Sequence, residues 1–418
     1  MAAADRPRQI LVAGAGIAGL TAALALARQG FRVRLYEQAA RIEAIGAGIQ
    51  LSPNATHILD RLGVLERLAP AAVEPRAAVL KDARSLRTLA TVPLGESGRR
   101  RWQAPYLVAH RGDVQKALLE TAANVPDIEL LTHVRVEGVA ADSGGVTATL
   151  SADNRKVRES GLLLIGADGV WSTIRGFVGT VQSRFSGKLA WRATLAAESP
   201  AGAAFARIAD PASVTAFLHA GFHLVAYPIR SGKAFNLVAF TRGGEIAKDW
   251  AAKADIGALR QAMRHTAPAL AGLAEDAGPW TAWPVHTVDP HPPWTSPPGI
   301  ALIGDAAHAM TPFAAQGAAM AIEDAATLAA GLAAAPAGLA GALAEWEAAR
   351  KARVARVARR GALNHLAWHA AGPVALARNL MLALRPGERL AADLDWLYGW
   401  RAPEARAAAG APVSAGSG

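Results

Sequence analysis

The run Gln9-Ile-Leu-Val-Ala13 is short, apolar and followed at once by glycines. A stretch at helical spacing then extends from Ala18 to Gln29 and is closed by Gly30 as its C-cap. In Arg32-Val-Arg-Leu-Tyr-Glu37 polar and apolar residues alternate, so the chain is predicted to open strand, helix, strand. Gly161-Leu-Leu-Leu-Ile-Gly166 and Pro298-Gly-Ile-Ala-Leu-Ile-Gly304 are uninterrupted apolar runs that end at glycine with aspartate close behind, the pattern of buried parallel strands. Between them the pattern changes to alternation over 188–195, 214–219, 222–228 and 234–242, which predicts an antiparallel sheet in a second lobe. From Ala314 to about Arg385 the spacing is helical, and Arg350, Arg353, Arg356, Arg359 and Arg360 are expected on an exposed face. Residues 401–418 are mostly Ala, Gly, Pro and Ser and are expected to be disordered.

Composition narrows the class. With 418 residues, 52% of them hydrophobic and 19% charged, two or more lobes are expected. The absence of cysteine excludes disulfide scaffolds, iron–sulfur clusters, Cys-ligated zinc and thiolate nucleophiles, and points to a reducing cytoplasm. A net charge of +10 comes mainly from arginines scattered among alanines. A nucleic-acid binder would gather them on one stripe with interleaved aromatics, so no nucleic-acid partner is expected. A positive field would help to draw in anionic substrates and pyridine nucleotides, although free use of Ala and Arg accounts for the charge equally well. The first apolar run is too brief for an export signal. The uncharged run Ala325–Ala344 is rich in Ala and Gly and interrupted by Pro336, so it reads as two soluble helices and not as a membrane span. His57, His219, His286 and His291 have no partner pattern, and no spacing suggests a metal.

Three segments carry candidate chemistry. Gly14-Ala-Gly16-Ile-Ala-Gly19 lies between a strand and a helix, where glycines permit a tight turn, let backbone approach a pyrophosphate and let helix pack on strand. Glu37 ends the next strand, 18 residues beyond Gly19, where a carboxylate can accept a ribose hydroxyl. The second and third segments, Gly166-Ala-Asp168-Gly169 with Ser172 and Arg175, and Gly304-Asp305-Ala-Ala-His308 with Pro312 and Gly317, each set an aspartate at the carboxyl end of a buried strand. Such an aspartate can also simply cap a helix. For Asp305 both readings coexist, since a helix beginning near Pro312 would aim its N-terminal dipole at an anionic group.

Together these segments resemble the FAD-dependent aromatic hydroxylases, the single-component flavoprotein monooxygenases. The branch concerned contains salicylate hydroxylase, 3-hydroxybenzoate 6-hydroxylase and 6-hydroxynicotinate 3-monooxygenase. The resemblance extends to Gly46-Ala-Gly48-Ile-Gln-Leu-Ser-Pro-Asn54, His110-Arg111-Gly-Asp113 and Asp395-Trp-Leu-Tyr398-Gly. It implies an α/β fold with a discontinuous Rossmann-like FAD-binding domain (1–75, 100–185, 290–345), a substrate domain of β-sheet (76–99, 186–289) and C-terminal helices (346–400). It further implies that Gly14, Gly16, Gly19, Glu37, Arg111 and Asp305 contact non-covalent FAD, that the Asp168 segment is linked to FAD and NAD(P)H, that Gly48 and Gly317 lie near the isoalloxazine, and that Pro312 walls the reacting edge. Arg111 can offer forked donors to phosphate or ribose, and with Asp113 it could equally be an ordinary helix-start pair.

Lys188-Leu-Ala-Trp191-Arg192 and His223-Leu-Val-Ala-Tyr227-Pro228 look like the family's substrate side. Residues four apart on a strand share a face, so His223 and Tyr227 are expected side by side. A base that removes a phenolic proton makes the ring more nucleophilic, and an imidazole suits that task; a strand histidine can equally be a satisfied core residue. Arg192 could anchor a substrate carboxylate, or bind FAD or a neighbouring strand. His308 could merely pack at a helix start.

The implied activity is hydroxylation of a small planar hydroxybenzoate or hydroxypyridine through a flavin C4a-hydroperoxide, with NADH or NADPH and O2 as co-substrates, in a monomer or homodimer. An oxygenase or epoxidase of a larger polycyclic or isoprenoid substrate, a non-oxygenase flavoprotein and a plain NAD-linked dehydrogenase are the alternatives; the two Asp-containing segments argue against the last. The chain departs from the family at Thr287-Val-Asp289-Pro-His291, where relatives often carry Asp-Arg. It departs again at Pro312, where 3-hydroxybenzoate 6-hydroxylase has glutamine.

Overall fold

A computed structural model of the protein describes residues 8–42, 48–142, 144–153, 155–246, 255–297, 299–335 and 338–403. The apolar run Gln9–Ala13 is the third strand from one edge of a six-stranded sheet. The order is Ile128–Thr132, Arg32–Glu37, Gln9–Ala13, Leu163–Gly166, Ile300–Leu302 and Thr295–Ser296, parallel throughout except for the last pair. The central strands carry near-continuous apolar runs because both sheet faces are covered. One cover is formed by helix Ile17–Ala27 against helix Gly317–Ala334. The latter is long and apolar enough to cross a membrane, but 12 of its 18 residues are buried inside the protein.

A seven-stranded sheet forms the second layer, in the order Thr281–Thr287, Arg184–Ala196, Ala234–Arg242, Phe222–Ile229, Val214–Leu218, Ala77–Asp82, Thr88–Pro93. All neighbours are antiparallel except Val214–Leu218 and Ala77–Asp82. Leu189, Trp191, Phe222, Leu224, Phe235 and Leu237 pack on helices Pro200–Ile208, Gly257–Met263 and Pro268–Asp276. The alternate residues face the other way, toward the first layer, as the period of two requires. Gly48–Leu51 pairs with Leu107–His110 in a small ribbon between the layers, and a three-stranded antiparallel sheet spans Val134–Gly161.

Several expectations need correction or restriction. Arg350 is 2% exposed, and Arg353 also turns inward; both meet the carboxylate of Glu323. Only the outer arginines such as Arg356 and Arg359 face solvent, because helix Gly338–Trp368 packs its inner side on helix Gly317–Ala334. The turn at Pro336, Gly46 of the Gly48 segment, Pro298 of the Ile300 run, and 404–418 of the tail expected to be disordered lie outside the described residues.

Candidate active site

Gly14 leaves the first strand with φ +102, and a Cβ there would lie 2.6 Å from the Ala167 carbonyl oxygen. A Cβ on Gly19 would fall 1.9 Å from the Gly14 carbonyl oxygen. The protein's own backbone therefore demands both glycines. Gly16 differs, since a Cβ there would meet nothing within 4 Å. It caps helix Ile17–Ala27, whose first amides have no intrahelical acceptor. The result is a bare backbone cradle at a helix N-terminus, suited to a pyrophosphate. Glu37 stands beside it: Oε2 accepts from the Ala15 amide and Oε1 from the Ala39 amide, both at 2.9 Å, with lone pairs to spare for ribose hydroxyls. Gln115 donates to the Ala15 carbonyl at 2.9 Å and fixes the loop from helix Arg111–Ala122.

The two aspartate segments differ in what they do. Asp168 Oδ2 accepts from the amides of Thr173 and Ile174 at 2.7 and 3.1 Å, so it caps its own turn, while its Oδ1 is buried with no hydrogen-bond partner among the described residues. Arg175 donates to the carbonyls of Val170 and Ala306 at 2.7 and 2.9 Å and so ties that turn to the segment after Asp305. Asp305 itself is exposed at the start of helix Asp305–His308. Gly304 before it has φ +60, and its amide donates to Asp324 Oδ2 at 2.9 Å.

Behind Gly304 lies a buried ionic network. Asp324 Oδ2 is 2.6 Å from His308 Nε2, and Asp324 Oδ1 accepts from Arg350 Nε at 2.7 Å. Glu323 accepts from Arg350, Arg353 and Asn54, and Asn54 joins Ser52 and Gln316. Burial alone would push the Asp324 carboxyl up, but His308, Arg350 and the Gly304 amide outweigh it and hold it down to about 2. The network thus connects Gly304 to Gln316, next to Gly317 at the start of its helix. A Cβ on Gly317 would also meet nothing within 4 Å. His308 therefore faces a buried carboxylate.

On the facing sheet, Ala190, Arg192, Asn236, Val238, Phe240, His223, Val225 and Tyr227 share one surface. His223 and Tyr227 are not side by side as expected. Val225 separates them, and along a strand positions four apart lie about 13 Å from one another. Tyr227 packs instead at Gly48, whose amide donates to Asn236 Oδ1 at 2.7 Å. His223 is 1% exposed and stacks on Phe240 with ring centroids 4.8 Å apart. Phe313, in the turn Pro312–Ala314, lies 5.3 Å from it. Burial first, then His369, His365 and Lys188, lower the pKa of His223 well below the usual imidazole value.

Arg192 lies over the Trp283 ring at 5.0 Å, and its buried Nε has no acceptor among the described residues. Burial, then the nearby positive charge of Arg111, bring its pKa down to about 10, and Tyr227 opposes the shift. Two guanidiniums near one another, with no carboxylate on Arg192 among the described residues, make a place for an anion. Reading the sequence missed Asn236, Phe313, His369 and the Asp324 network. Each matters through a contact across the fold, and only the charged Glu323-Asp324 pair inside an apolar helix gave a local hint.

The glycine cradle, Glu37 and the open surface at Gly317 fit FAD. Residues 8–361 match the sequence family described as FAD binding domain. The chain is 36% identical to 3-hydroxybenzoate 6-hydroxylase of Polaromonas naphthalenivorans, over 95% of this chain and 96% of that one. It is 34% identical to 6-hydroxynicotinate 3-monooxygenase of Bordetella bronchiseptica, over 77% and 82%. Among solved structures it is similar to Klebsiella pneumoniae HpxO complexed with FAD and uric acid, with a TM-score of 0.78, 25% identity and 92% and 95% of the two chains covered. The chain thus belongs to the FAD binding domain family and is a FAD-dependent monooxygenase of the aromatic hydroxylase type.

Proposed function

We propose that the enzyme hydroxylates the ring of a small phenolic carboxylate of the hydroxybenzoate kind, with NADH or NADPH and O2 as co-substrates. The observation that carries this reading is the half-buried Arg192, whose Nε has no acceptor among the described residues, on the same sheet face as His223. Arg192 pairs across the strands with Val238, and His223 with Phe240, so the two lie about 12 Å apart at their Cα atoms. That separation is of the order needed to span a ring that carries a carboxylate toward Arg192 and a hydroxyl toward His223.

FAD, when bound, supplies the redox chemistry and the oxygen transfer. Gly14, Gly16, Gly19, Glu37 and Arg111 would hold its ADP half, Asp305 its ribityl chain, and Gly48 and Gly317 would flank the ring system, with Asp168 bracing the adjoining turn. This chain's other residues act on the substrate. Arg192 neutralises and orients the carboxylate, Phe240, Phe313 and Pro312 exclude water, and His223 accepts the phenolic proton so that the ring becomes electron-rich. Tyr227, buried with its pKa pushed up, stays a neutral hydroxyl beside Gly48.

The test is NADH and NADPH oxidation by the FAD-loaded enzyme in air, with salicylate, 3- and 4-hydroxybenzoate, 6-hydroxynicotinate or no substrate, counting peroxide beside hydroxylated product. Stimulated oxidation with stoichiometric product from a hydroxybenzoate is expected. Stimulation that yields only peroxide, or none with any of the four, overturns the substrate assignment and favours a larger substrate.

A further inference from the structure

His223, His365 and His369 form a compact group at the end of helix Gly338–Trp368, with ring centroids 4.5 to 5.1 Å apart between His369 and each of the other two. Among the described residues no group of three His, Asp or Glu is disposed to hold a metal ion. His369 Nδ1 lies 2.9 Å from the His365 carbonyl oxygen, and His369 Nε2 lies 3.3 Å from His223 Nδ1.

We infer that His369 sets the tautomer of His223: it accepts the Nδ1 proton of His223 and so leaves the lone pair of His223 Nε2 as the base offered to the substrate hydroxyl. The deduction starts at the carbonyl. An oxygen of this kind only accepts, so His369 carries its proton on Nδ1. A neutral His369 then has a bare Nε2, which requires a donor, and the facing atom of His223 must be Nδ1–H. A neutral His223 protonated there has a bare Nε2, and that atom has no hydrogen-bond partner among the described residues. The inference deepens the reading of His223 as base, on which it rests; His369 is a positioning residue that need not touch substrate.

The surroundings keep His369 neutral. Burial lowers its pKa, the His365 carbonyl opposes this, and Lys188, Arg242 and Arg378 add repulsion. His223 faces the uncharged rings of Phe240, Phe313 and Trp368, with His365, His369 and Lys188 as its titratable neighbours. Protonation of His369 would reverse the relay: Nε2–H would donate to His223 Nδ1, and His223 would carry its proton on Nε2, where it cannot act as the base. A positioned base contributes on the order of 10²–10⁴ in rate, and holding the wrong tautomer removes part of that.

The experiment uses FAD-loaded enzyme labelled with 15N-histidine, with His223 assigned from the spectrum of His223→Gln. Long-range 1H–15N correlation at pH 8 is expected to show His223 neutral and protonated on Nδ1 in the wild type, and divided between tautomers in His369→Leu. In steady-state assays His369→Leu is expected to lose roughly tenfold or more in kcat at unchanged substrate KM and FAD content, and His369→Gln, whose amide oxygen can accept, to recover most of it. A wild-type His223 protonated on Nε2, or wild-type kcat in His369→Leu, overturns the inference. Should His223→Gln itself turn over normally, the base assignment fails on its own, while the tautomer seen in the wild-type spectrum still decides the role of His369.

Discussion

Gly48 and Asn236 join the two halves of the site: the Gly48 amide donates to Asn236 Oδ1 at 2.7 Å across a gap with no room for a side chain. A Cβ on Gly48 would lie 2.6 Å from Tyr227 Cε2 and 2.7 Å from Asn236 Cγ. Gly48→Ala is therefore expected to push the ribbon off the seven-stranded sheet at a cost of about 1–3 kcal/mol. Thermal melting should show a loss of a few degrees, accompanied by a raised substrate KM.

Gly16 and Gly19 separate cofactor binding from folding. Gly16→Val puts its side chain into open space, so the variant should fold with a wild-type circular dichroism spectrum but purify without FAD absorbance. Gly19→Ala drives a methyl group into the Gly14 carbonyl and should lower folded yield as well. A yellow, FAD-replete Gly16→Val would remove the pyrophosphate from that loop.

Arg192 predicts effects of opposite sign with and without ligand. A half-buried guanidinium whose Nε has no acceptor among the described residues costs stability, so Arg192→Met should raise the melting temperature of the substrate-free enzyme. The same change should abolish the stabilisation that a hydroxybenzoate confers on the wild type, and raise its KM by on the order of tenfold or more. A wild-type substrate-induced shift in Arg192→Met would sink the carboxylate assignment.

Asp324 gives a pH dependence. Its carboxyl is held at about 2, below the free value of 3.8, so its contribution is complete above about pH 4 and is lost as pH falls through about 2. Its size is on the order of 2 kcal/mol. Asp324→Asn leaves Arg350 one carboxylate short in the interior and should destabilise by about 3–5 kcal/mol at pH 7. Denaturant titrations should find the gap between wild type and Asp324→Asn narrowing from pH 4 downward.

The parts of the fold that repeat a local pattern were legible. Strands Arg32–Glu37 and Ala234–Arg242 match the sequence reading in their bounds, because each is a run of strand-forming residues with clear ends. The glycine turn was legible for the same reason, since Gly14 and Gly19 answer to neighbours in their own strand–helix unit and to the strand beside it. The charged core was not. Arg350 looks like its solvent-facing neighbours Arg356 and Arg359 until Glu323 and Asp324 are brought against it from another helix. His223 was found as a candidate from its strand, but its partner His369 lies just past the end of a helix, 146 residues later, with no spacing rule to announce it. His223 and Tyr227 share a face without touching, because a strand rises about 3.3 Å per residue and Val225 stands between them.

The strand order also constrains how the enzyme is made. Ala77–Asp82 has its sheet partner in Val214–Leu218, Gln9–Ala13 waits for Leu163–Gly166, and that strand in turn waits for Ile300–Leu302. Helix Gly338–Trp368 must then arrive to neutralise Glu323 and Asp324. A ribosome therefore releases most of the polypeptide before either sheet has its neighbours, and the nascent chain carries unpaired β edges for much of its synthesis. Truncation anywhere before this helix removes Arg350 and Arg353, the guanidinium partners of the buried carboxylates, together with His369.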